Sequence, residues 1–253
     1  MKVSVVTLTN GTRPAMLARA IRCVVASTHP DIEHIVFDAA PYAGRTIGYI
    51  RNIANACANG ELIAHADDDD FFHPRRLEEQ VALLGASGKQ CVGYRELLFW
   101  DTRCPEPQPV QCPVEDHPIL VRADGSILAH YDSDGSICPA GGATYGEAWL
   151  YTNHQANWAV GASLMYRREL WQRQPFDDAP HEDTRWLRTP LVSGECSGVS
   201  AIPITGDAMP RMVCQIHGGN SEGYDRAVML RNPDVWRRAP EFDEYCEGVM
   251  RCA

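Results

Sequence analysis

The chain has 253 residues, 45% of them hydrophobic, which is enough for a sizeable core in one large domain or two small ones. Its formal net charge of −10, from 23 basic and 33 acidic residues, disfavours a broad basic face for nucleic acid. No stretch approaches the about 18 apolar residues of a membrane span, and the opening MKVSVV is too short for a signal peptide. We therefore expect a soluble, cytosolic protein.

The ten cysteines are scattered along the chain, and none forms a CxxC pair. Disulfide frameworks are typical of short secreted chains, and zinc sites need closely spaced ligands. We therefore expect reduced thiols that mostly pack in the interior, and no zinc site.

Strand and helix patterns alternate over the first hundred residues. VSVVTL (3–8), IEHIVFD (32–38), ELIAHA (61–66) and CVGYRELLFW (91–100) predict strands. Three helix patterns lie between these strands. The first begins near Pro14, the second is TIGYIRNIANACANG and ends at Gly60, and the third begins near Pro74. This alternation indicates a parallel sheet covered on both faces. Ligands bind such sheets beyond the carboxyl ends of the strands, where Asn10, Asp38 and the run from Asp67 to Asp70 are expected.

The pattern changes after Asp101. Residues 101–157 are rich in proline and glycine, with a hairpin pattern turning at Asp124-Gly125, and we interpret them as a variable insertion. WAVGASLMYRRELWQR then predicts a strand passing into a helix, HEDTRWLRT a short helix, and RMVCQIHGGN a strand running into a loop. The predicted division is 1–100, 101–157 and 158–253.

Four consecutive aspartates, Asp67 to Asp70, follow a buried strand pattern. Adjacent carboxylates repel one another unless a cation offsets their charge, and hard cations such as Mg²⁺ prefer carboxylate and phosphate oxygens. Asp67, Asp69 and Asp70 are the candidate ligands. The alternative is a solvated acidic turn before the helix near Pro74, but the position at the carboxyl edge of the sheet favours a metal site.

An ordered set of segments carries a family resemblance. VSVVTLTNGTRPAMLARAI, HIVFDAA, IGYIRNIANACANGELIAHADDDDFFHPRRLEEQV, GASLMYRREL, HEDTRWL and IHGGN together resemble family 2 glycosyltransferases of the GT-A fold, over about residues 3–100 and 157–220. The resemblance implies a Rossmann-like α/β fold with a mainly parallel sheet flanked by helices. It makes residues 1–100 the nucleotide-sugar-binding half and residues 158–253 the acceptor-binding and catalytic half of the same domain. It also implies metal-dependent, inverting transfer of a sugar from a nucleotide-diphosphate donor to an acceptor hydroxyl.

The resemblance also implies roles for the donor-side residues. It makes Asp67-x-Asp69, with Asp70 adjacent, the DxD motif that holds Mn²⁺ or Mg²⁺ against the diphosphate of the nucleotide-sugar. His217 in IHGGN matches a late histidine that contacts the metal or the diphosphate. Asp38 matches the aspartate that contacts the nucleotide base. The complete set expected to bind the nucleotide is Thr7, Thr9, Arg13, Asp38, Arg51, Asp67 and Asp68, although Arg51 also suits an exposed helix surface.

Glu182-Asp183 resembles the family's ED motif, whose aspartate is the general base of inverting members. The acceptor hydroxyl must lose its proton while it attacks the anomeric carbon from the face opposite the leaving group. Asp183 is therefore the predicted base, and Glu182 is the second predicted catalytic residue. The alternative is that the pair only favours a helix start through the macrodipole.

The donor expected from the resemblance is a UDP-sugar, and a saccharide is the expected acceptor. A nucleic-acid base or a protein is an alternative acceptor, with paired arginines at 75–76, 167–168 and 237–238 as a local phosphate-binding strip. A nucleotidyltransferase is an alternative enzyme, although its usual glycine-rich, basic loop is reduced here to Gly11 and Arg13. A catalytically silent sugar-binding protein of the same fold is the third alternative.

Overall fold

The computed structural model describes residues 1–103, 146–203, 209–218, 220 and 224–251, together with the backbone of four strands between residues 108 and 139. Its strands are β1 (Val3–Thr9), β2 (Ile32–Asp38), β3 (Leu62–His65), β4 (Phe71–Phe72), β5 (Cys91–Asp101), β6 (Gln108–Gln111), β7 (Pro118–Val121), β8 (Ile127–Tyr131), β9 (Ile137–Pro139), β10 (Glu147–Thr152), β11 (Met165–Arg167), β12 (Cys196–Ser200), β13 (Met212–Ile216) and β14 (Trp236–Arg238).

The α-helices are α1 (Pro14–Val25), α2 (Ile47–Ala56), α3 (Arg76–Ser87), α4 (Arg168–Arg173), α5 (Glu182–Leu187), α6 (Arg226–Arg231) and α7 (Asp243–Arg251). Within the described ranges, no helix combines the length and the apolar character needed to cross a bilayer.

The chain forms two compact units. The first comprises Met1–Leu98 and Tyr151–Cys214, and the second comprises Phe99–Leu150 and Gln215–Arg251. Compactness therefore groups residues 99–150 with the C-terminal segment, and the functional division at residues 100 and 157 stays a prediction.

The sheet of the first unit has the strand order β2-β1-β3-β11-β5-β12. β1 pairs in parallel with β2 and β3, β12 pairs in parallel with β5, and β11 runs antiparallel to both of its neighbours. The predicted α/β fold with a mainly parallel central sheet and flanking helices is confirmed. The reversed β11 was not predicted, because strand direction depends on the path of the preceding chain and not on the pattern of the strand itself.

Local chemistry explains where the helices begin and end. α1 begins at Pro14, whose missing N–H is not needed at the first helical position. The hydroxyl of Thr46 accepts a hydrogen bond from the Tyr49 N–H (3.2 Å) and so begins α2. This helix ends at Ala56, before the predicted stop at Gly60. Gly60 instead permits close backbone packing, because a Cβ there would lie 2.7 Å from the Lys2 carbonyl oxygen.

The core of the first unit lies where α2, α4 and α5 pack against the sheet. Trp186 of α5 is completely buried in it, and its indole N–H donates to the Gln174 carbonyl (2.5 Å). The other large members of this cluster are Ile63, Leu164, Tyr166, Leu170, Phe176 and Leu187. α5 has only six residues, so tertiary packing around Trp186 and not helix propensity determines its position.

The second unit contains an aromatic cluster and a separate antiparallel sheet. The rings of Phe99, Tyr224 and Trp236 lie with centroids 5.0–6.2 Å apart. β6, β7, β8 and β9 pair in sequence order as an antiparallel sheet. β7 and β8 are the two strands of the predicted hairpin, whose turn at Asp124-Gly125 lies outside the described residues.

Candidate functional site

The four aspartates follow β3 in a turn, but their carboxylates do not point to one place. Asp68 Oδ1 accepts from Arg13 Nη2 at 2.6 Å, and Asp69 Oδ2 accepts from Arg13 Nη1 at 2.9 Å. Asp70 Oδ2 accepts from the Cys214 thiol at 3.3 Å. The guanidinium of Arg13 thus offsets the mutual repulsion of Asp68 and Asp69, whereas Asp70 has a separate partner.

Arg13 comes from the loop after β1, as the sequence predicts. Its guanidinium forms ion pairs with Asp68 and Asp69, and the Thr9 hydroxyl accepts from the Gly11 N–H at 3.2 Å. Burial raises the pKa of Asp68, and hydrogen bonds from Thr9 and Arg13 oppose this rise. The loop after β1 and the acidic turn after β3 therefore form one charged structure at the carboxyl edge of the sheet.

Arg51 of α2 contacts both predicted acidic motifs. Its Nη2 lies 3.8 Å from Asp67 Oδ1, and its Nε lies 3.3 Å from Glu182 Oε1. Only 6% of its side chain is exposed, so the alternative of an exposed helix residue is wrong. Burial lowers the pKa of Arg51, but Asp67 and Glu182 outweigh this effect and the net shift is upward. Arg51 therefore acts as a shared counter-ion for the two motifs.

The close approach of α2 to the start of α5 depends on Gly48. A Cβ at this position would lie 2.1 Å from the Asp177 carbonyl oxygen and 2.9 Å from the Glu182 Cβ. Any larger residue would separate Arg51 from Glu182. The contact between Arg51 and Glu182 thus depends on Gly48, which was not among the predicted site residues.

Asp67 is the most exposed of the first three aspartates, with 36% of its side chain accessible against 2% for Asp68 and 11% for Asp69. Desolvation by the surrounding protein and the negative charges of Asp69 and Asp68 raise the pKa of Asp67 to about 6, and Arg51 opposes this rise. Burial also raises the pKa of Glu182, again opposed by Arg51. Asp67, Asp68 and Glu182 therefore bind protons more readily than isolated carboxylates do.

Asp183 is half-buried at the start of α5, and its carboxylate rests on the backbone of Gly161. A Cβ at Gly161 would lie 1.8 Å from Asp183 Oδ2, so no other residue leaves room for this carboxylate. Asp183 Oδ1 also accepts from the Thr184 N–H at 2.6 Å. The acidic pair does start a helix, as the alternative interpretation held, but it also takes part in specific tertiary contacts.

Three other predicted residues have different surroundings. Asp38 is exposed at the end of β2, where its Oδ1 accepts from the Ala40 N–H at 2.9 Å. Thr7 is completely buried, and its hydroxyl lies 3.0 Å from His34 Nε2, so it has no exposed surface with which to line a pocket. His217 belongs to the second unit, where its backbone N–H donates to Asn220 Oδ1 at 2.5 Å. Its role as a ligand stays a prediction.

His65 and Gly161 were not among the residues predicted from the sequence. His65 is the one polar side chain inside the apolar stretch LIAHA of β3, and this interruption was the available signal. His65 is completely buried. Its burial and, to a smaller extent, the positive charge of the nearby Arg51 lower the pKa of His65 well below its usual value. The His65 ring is therefore neutral. Its Nδ1 lies 2.7 Å from the carbonyl oxygen of the same Gly161 that supports Asp183.

The acidic turn does not form a complete set of metal ligands by itself. Among the residues that the structure describes, no three His, Cys, Asp or Glu side chains form a group that could hold a metal ion. The predicted ligands Asp67, Asp69 and Asp70 are therefore not assembled into one cage, and Asp70 is enclosed beside Cys214. Mg²⁺ usually binds one or two protein carboxylates together with substrate phosphates. That Asp67 and Asp69 take this smaller role stays a prediction.

Comparisons with known proteins show similarity in structure but not in sequence. No protein-family model matches the chain, and a search of curated proteins gives no match. The fold is similar to TarS 1-349 from S. aureus in complex with UDP-GlcNAc, with a TM-score of 0.51 and 13% identity over 93% of this chain and 67% of that chain. TarS 1-349 in complex with UDP gives a TM-score of 0.50 at 13% identity over 85% of this chain.

This likeness shows the fold. The chain has the α/β architecture of GT-A glycosyltransferases, with a central, mostly parallel sheet flanked by helices, and the expected fold class is confirmed. The chain spans 61% of the TarS 1-349 chain in the UDP complex.

Proposed function

We propose that this chain is a metal-dependent, inverting glycosyltransferase that transfers a sugar from a nucleotide-diphosphate donor, a UDP-sugar, to an acceptor hydroxyl. The observation that carries the proposal is the contact of one buried arginine, Arg51, with both Asp67 of the DxD-like turn and Glu182 of the ED-like pair. The similar fold of TarS, which binds UDP and UDP-GlcNAc, supports the donor class.

The loop after β1 and the acidic turn form the donor side of the proposed site. Asp67 and Asp69 would hold Mn²⁺ or Mg²⁺, which would act as a Lewis acid toward the diphosphate leaving group. Arg13, already paired with Asp68 and Asp69, places a positive charge beside the position proposed for the diphosphate. Asp38, exposed at the end of β2, would contact the nucleotide base.

Asp183 is the proposed general base. It accepts the proton of the acceptor hydroxyl while that oxygen forms a bond to the anomeric carbon and the bond to the nucleoside diphosphate breaks, which inverts the configuration. Glu182 does not take this role, because its carboxylate is buried against Arg51. Glu182 instead positions the start of α5 and, with it, the neighbouring Asp183.

A saccharide is the acceptor class that we propose, because the arginine pairs give little support to nucleic acid. Arg76 is buried and donates to the His65 carbonyl at 2.8 Å. Arg168 donates to the Ala58 carbonyl at 3.0 Å, and Arg238 pairs with Asp243. One arginine of each pair therefore serves an internal contact. Arg75 and Arg237 are about half exposed, and each forms an ion pair with a glutamate four residues further on, Glu79 and Glu241.

A calorimetric titration with UDP, GDP, CDP and ADP, each with Mn²⁺ and with a chelator, tests the proposal. We expect metal-dependent binding of UDP, followed by hydrolysis or transfer when UDP-sugars and simple saccharides are supplied. Binding of a sugar nucleotide without turnover would favour the silent sugar-binding alternative. Absence of binding to all four diphosphates would overturn the proposed function.

A further inference from the structure

The turn at residues 160–164 is held by side chains from two other elements. Its Gly161 carbonyl accepts from His65 Nδ1 at 2.7 Å, and its Ser163 carbonyl accepts from Gln80 Nε2 at 2.9 Å. The backbone N–H of His65 donates to the Leu164 carbonyl at 2.9 Å. β3 and α3 therefore fix the backbone of this turn, and His65 supplies two of the hydrogen bonds.

The direction of each hydrogen bond around His65 follows from its partners. A carbonyl oxygen can only accept, so the ring proton of His65 lies on Nδ1 and points to Gly161. Nε2 is then an acceptor, and the Tyr166 hydroxyl donates to it at 2.9 Å. The same hydroxyl oxygen accepts from Asn55 Nδ2, also at 2.9 Å. Asn55 and Tyr166 thus hold His65 in one tautomer and one orientation.

The same glycine supports the proposed base. The carboxylate of Asp183 occupies the space that a side chain at Gly161 would fill, so a displacement of Gly161 displaces the surface on which Asp183 rests. His65 lies two positions before Asp67 on the same chain segment. One side chain therefore connects the strand that carries the acidic turn to the support of the base.

We propose that His65 is a positioning residue, which fixes Gly161 through its Nδ1–H and thereby sets the location of the Asp183 carboxylate relative to the acidic turn. This inference rests on the proposed function, because it assigns Asp183 as the base. The competing explanation is that His65 only fills the core, where its ring lies 5.4 Å from Tyr166 and 5.7 Å from Phe176.

Two substitutions at His65 separate these explanations. In His65→Asn the amide nitrogen takes the place of Nδ1 and keeps the donor to Gly161, whereas His65→Leu fills the space without a donor. We expect His65→Leu to lower kcat by about 10- to 100-fold with donor Kd within about 2-fold of wild type, and His65→Asn to restore most of this loss. If His65→Leu does not fold, His65→Gln, whose amide reaches toward Tyr166 instead, replaces it.

A core truncation distinguishes positioning from lost stability. Val192→Ala removes two methyl groups from the completely buried side chain of a residue in the core cluster, and we expect it to lower the Tm while keeping kcat. The proposal is overturned if His65→Leu keeps wild-type kcat, if His65→Asn is as impaired as His65→Leu, or if kcat in all three variants follows the Tm.

Crystal structures decide the inference separately from the proposed function. If the wild-type protein neither binds nor turns over any donor, the proposed function fails. The positional claim is then judged by the location of Asp183 in wild type, His65→Asn and His65→Leu. We expect Asp183 to leave Gly161 only in the leucine variant, and an unmoved Asp183 in that variant would overturn the claim.

Discussion

Gly161 leaves less room for a side chain than Gly48, the other closely packed glycine of the candidate site. In Gly161→Ala the new Cβ would lie 1.8 Å from Asp183 Oδ2 and 2.7 Å from its Cβ, so the whole aspartate side chain must move. We expect kcat to fall at least about 10-fold while donor affinity, measured by calorimetry, changes little. Gly85→Ala is the matched control. A Cβ added at this position of α3 would have no atom within 4 Å, and alanine has a higher helix propensity than glycine. Wild-type turnover in Gly161→Ala would contradict the proposed position of the base.

The role of Asp183 itself is tested by an isosteric change. Asp183→Asn keeps the shape of the side chain but removes its ability to accept a proton, so we expect kcat to fall by about 10²- to 10⁴-fold with donor Kd nearly intact. Asp177→Asn is the control, since the carboxylate of Asp177 is exposed and pairs with Arg185 at 3.1 Å. Normal turnover in Asp183→Asn would remove this residue from the mechanism.

If Asp69 binds the metal, replacing it should weaken metal-dependent binding of the donor and not only turnover. In Asp69→Ala one of the two proposed ligands is absent, and we expect the gain in UDP affinity on adding Mn²⁺ to become much smaller. Calorimetry with Mn²⁺ and with a chelator measures this difference directly. If the metal-dependent gain equals that of the wild-type protein, Asp69 is not a ligand.

At the scale of secondary-structure elements, Glu33 connects β2 to β1 and to the loop before β3. Its carboxylate accepts from the Ser4 hydroxyl at 2.5 Å and from the Asn59 N–H at 2.9 Å. The hydrogen bonds from Ser4 and then from Asn59 lower the pKa of Glu33 from 4.5 to about 2. The three parallel strands that begin the sheet are therefore joined by an ionised carboxylate.

Because this pKa is lower in the folded protein, the stability that Glu33 contributes is complete above about pH 4.5 and is lost as the pH falls toward 2. We expect Glu33→Gln to lower the free energy of unfolding by about 1 kcal/mol at pH 7, since water screens this partly exposed group. Urea denaturation of both proteins between pH 7 and pH 2.5 should show the difference shrinking with acidity. A difference that does not depend on pH would contradict the ionic origin of the effect.

The elements near the start of the chain were well predicted, whereas the direction of the later strand β11 was not. β1, β2, β3 and the start of α1 follow from apolar runs bounded by turn residues and from Pro14. The orientation of β11 and the early end of α2 were not predicted, because both depend on contacts with distant segments.

At the scale of the whole molecule, the sequence motifs indicated which residues to consider but not how they meet. Arg51 and Glu182 are separated by 131 positions, and His65 and Gly161 by 96. No local pattern encodes such pairs. Thr7 shows the same limit, since its place in a motif suggested a pocket residue but did not indicate that the sheet buries it completely.

The bridge formed by Arg51 also bears on how the protein forms during synthesis. A ribosome adds the acidic turn long before Glu182, and contacts of such high sequence separation form only after a large loss of chain entropy. Until α5 is synthesised, Arg51 has only Asp67 as an acidic partner from these two motifs. A nascent chain that stops before residue 182 therefore carries the proposed donor-binding turn without the base, and the candidate site is completed only once α5 has been synthesised.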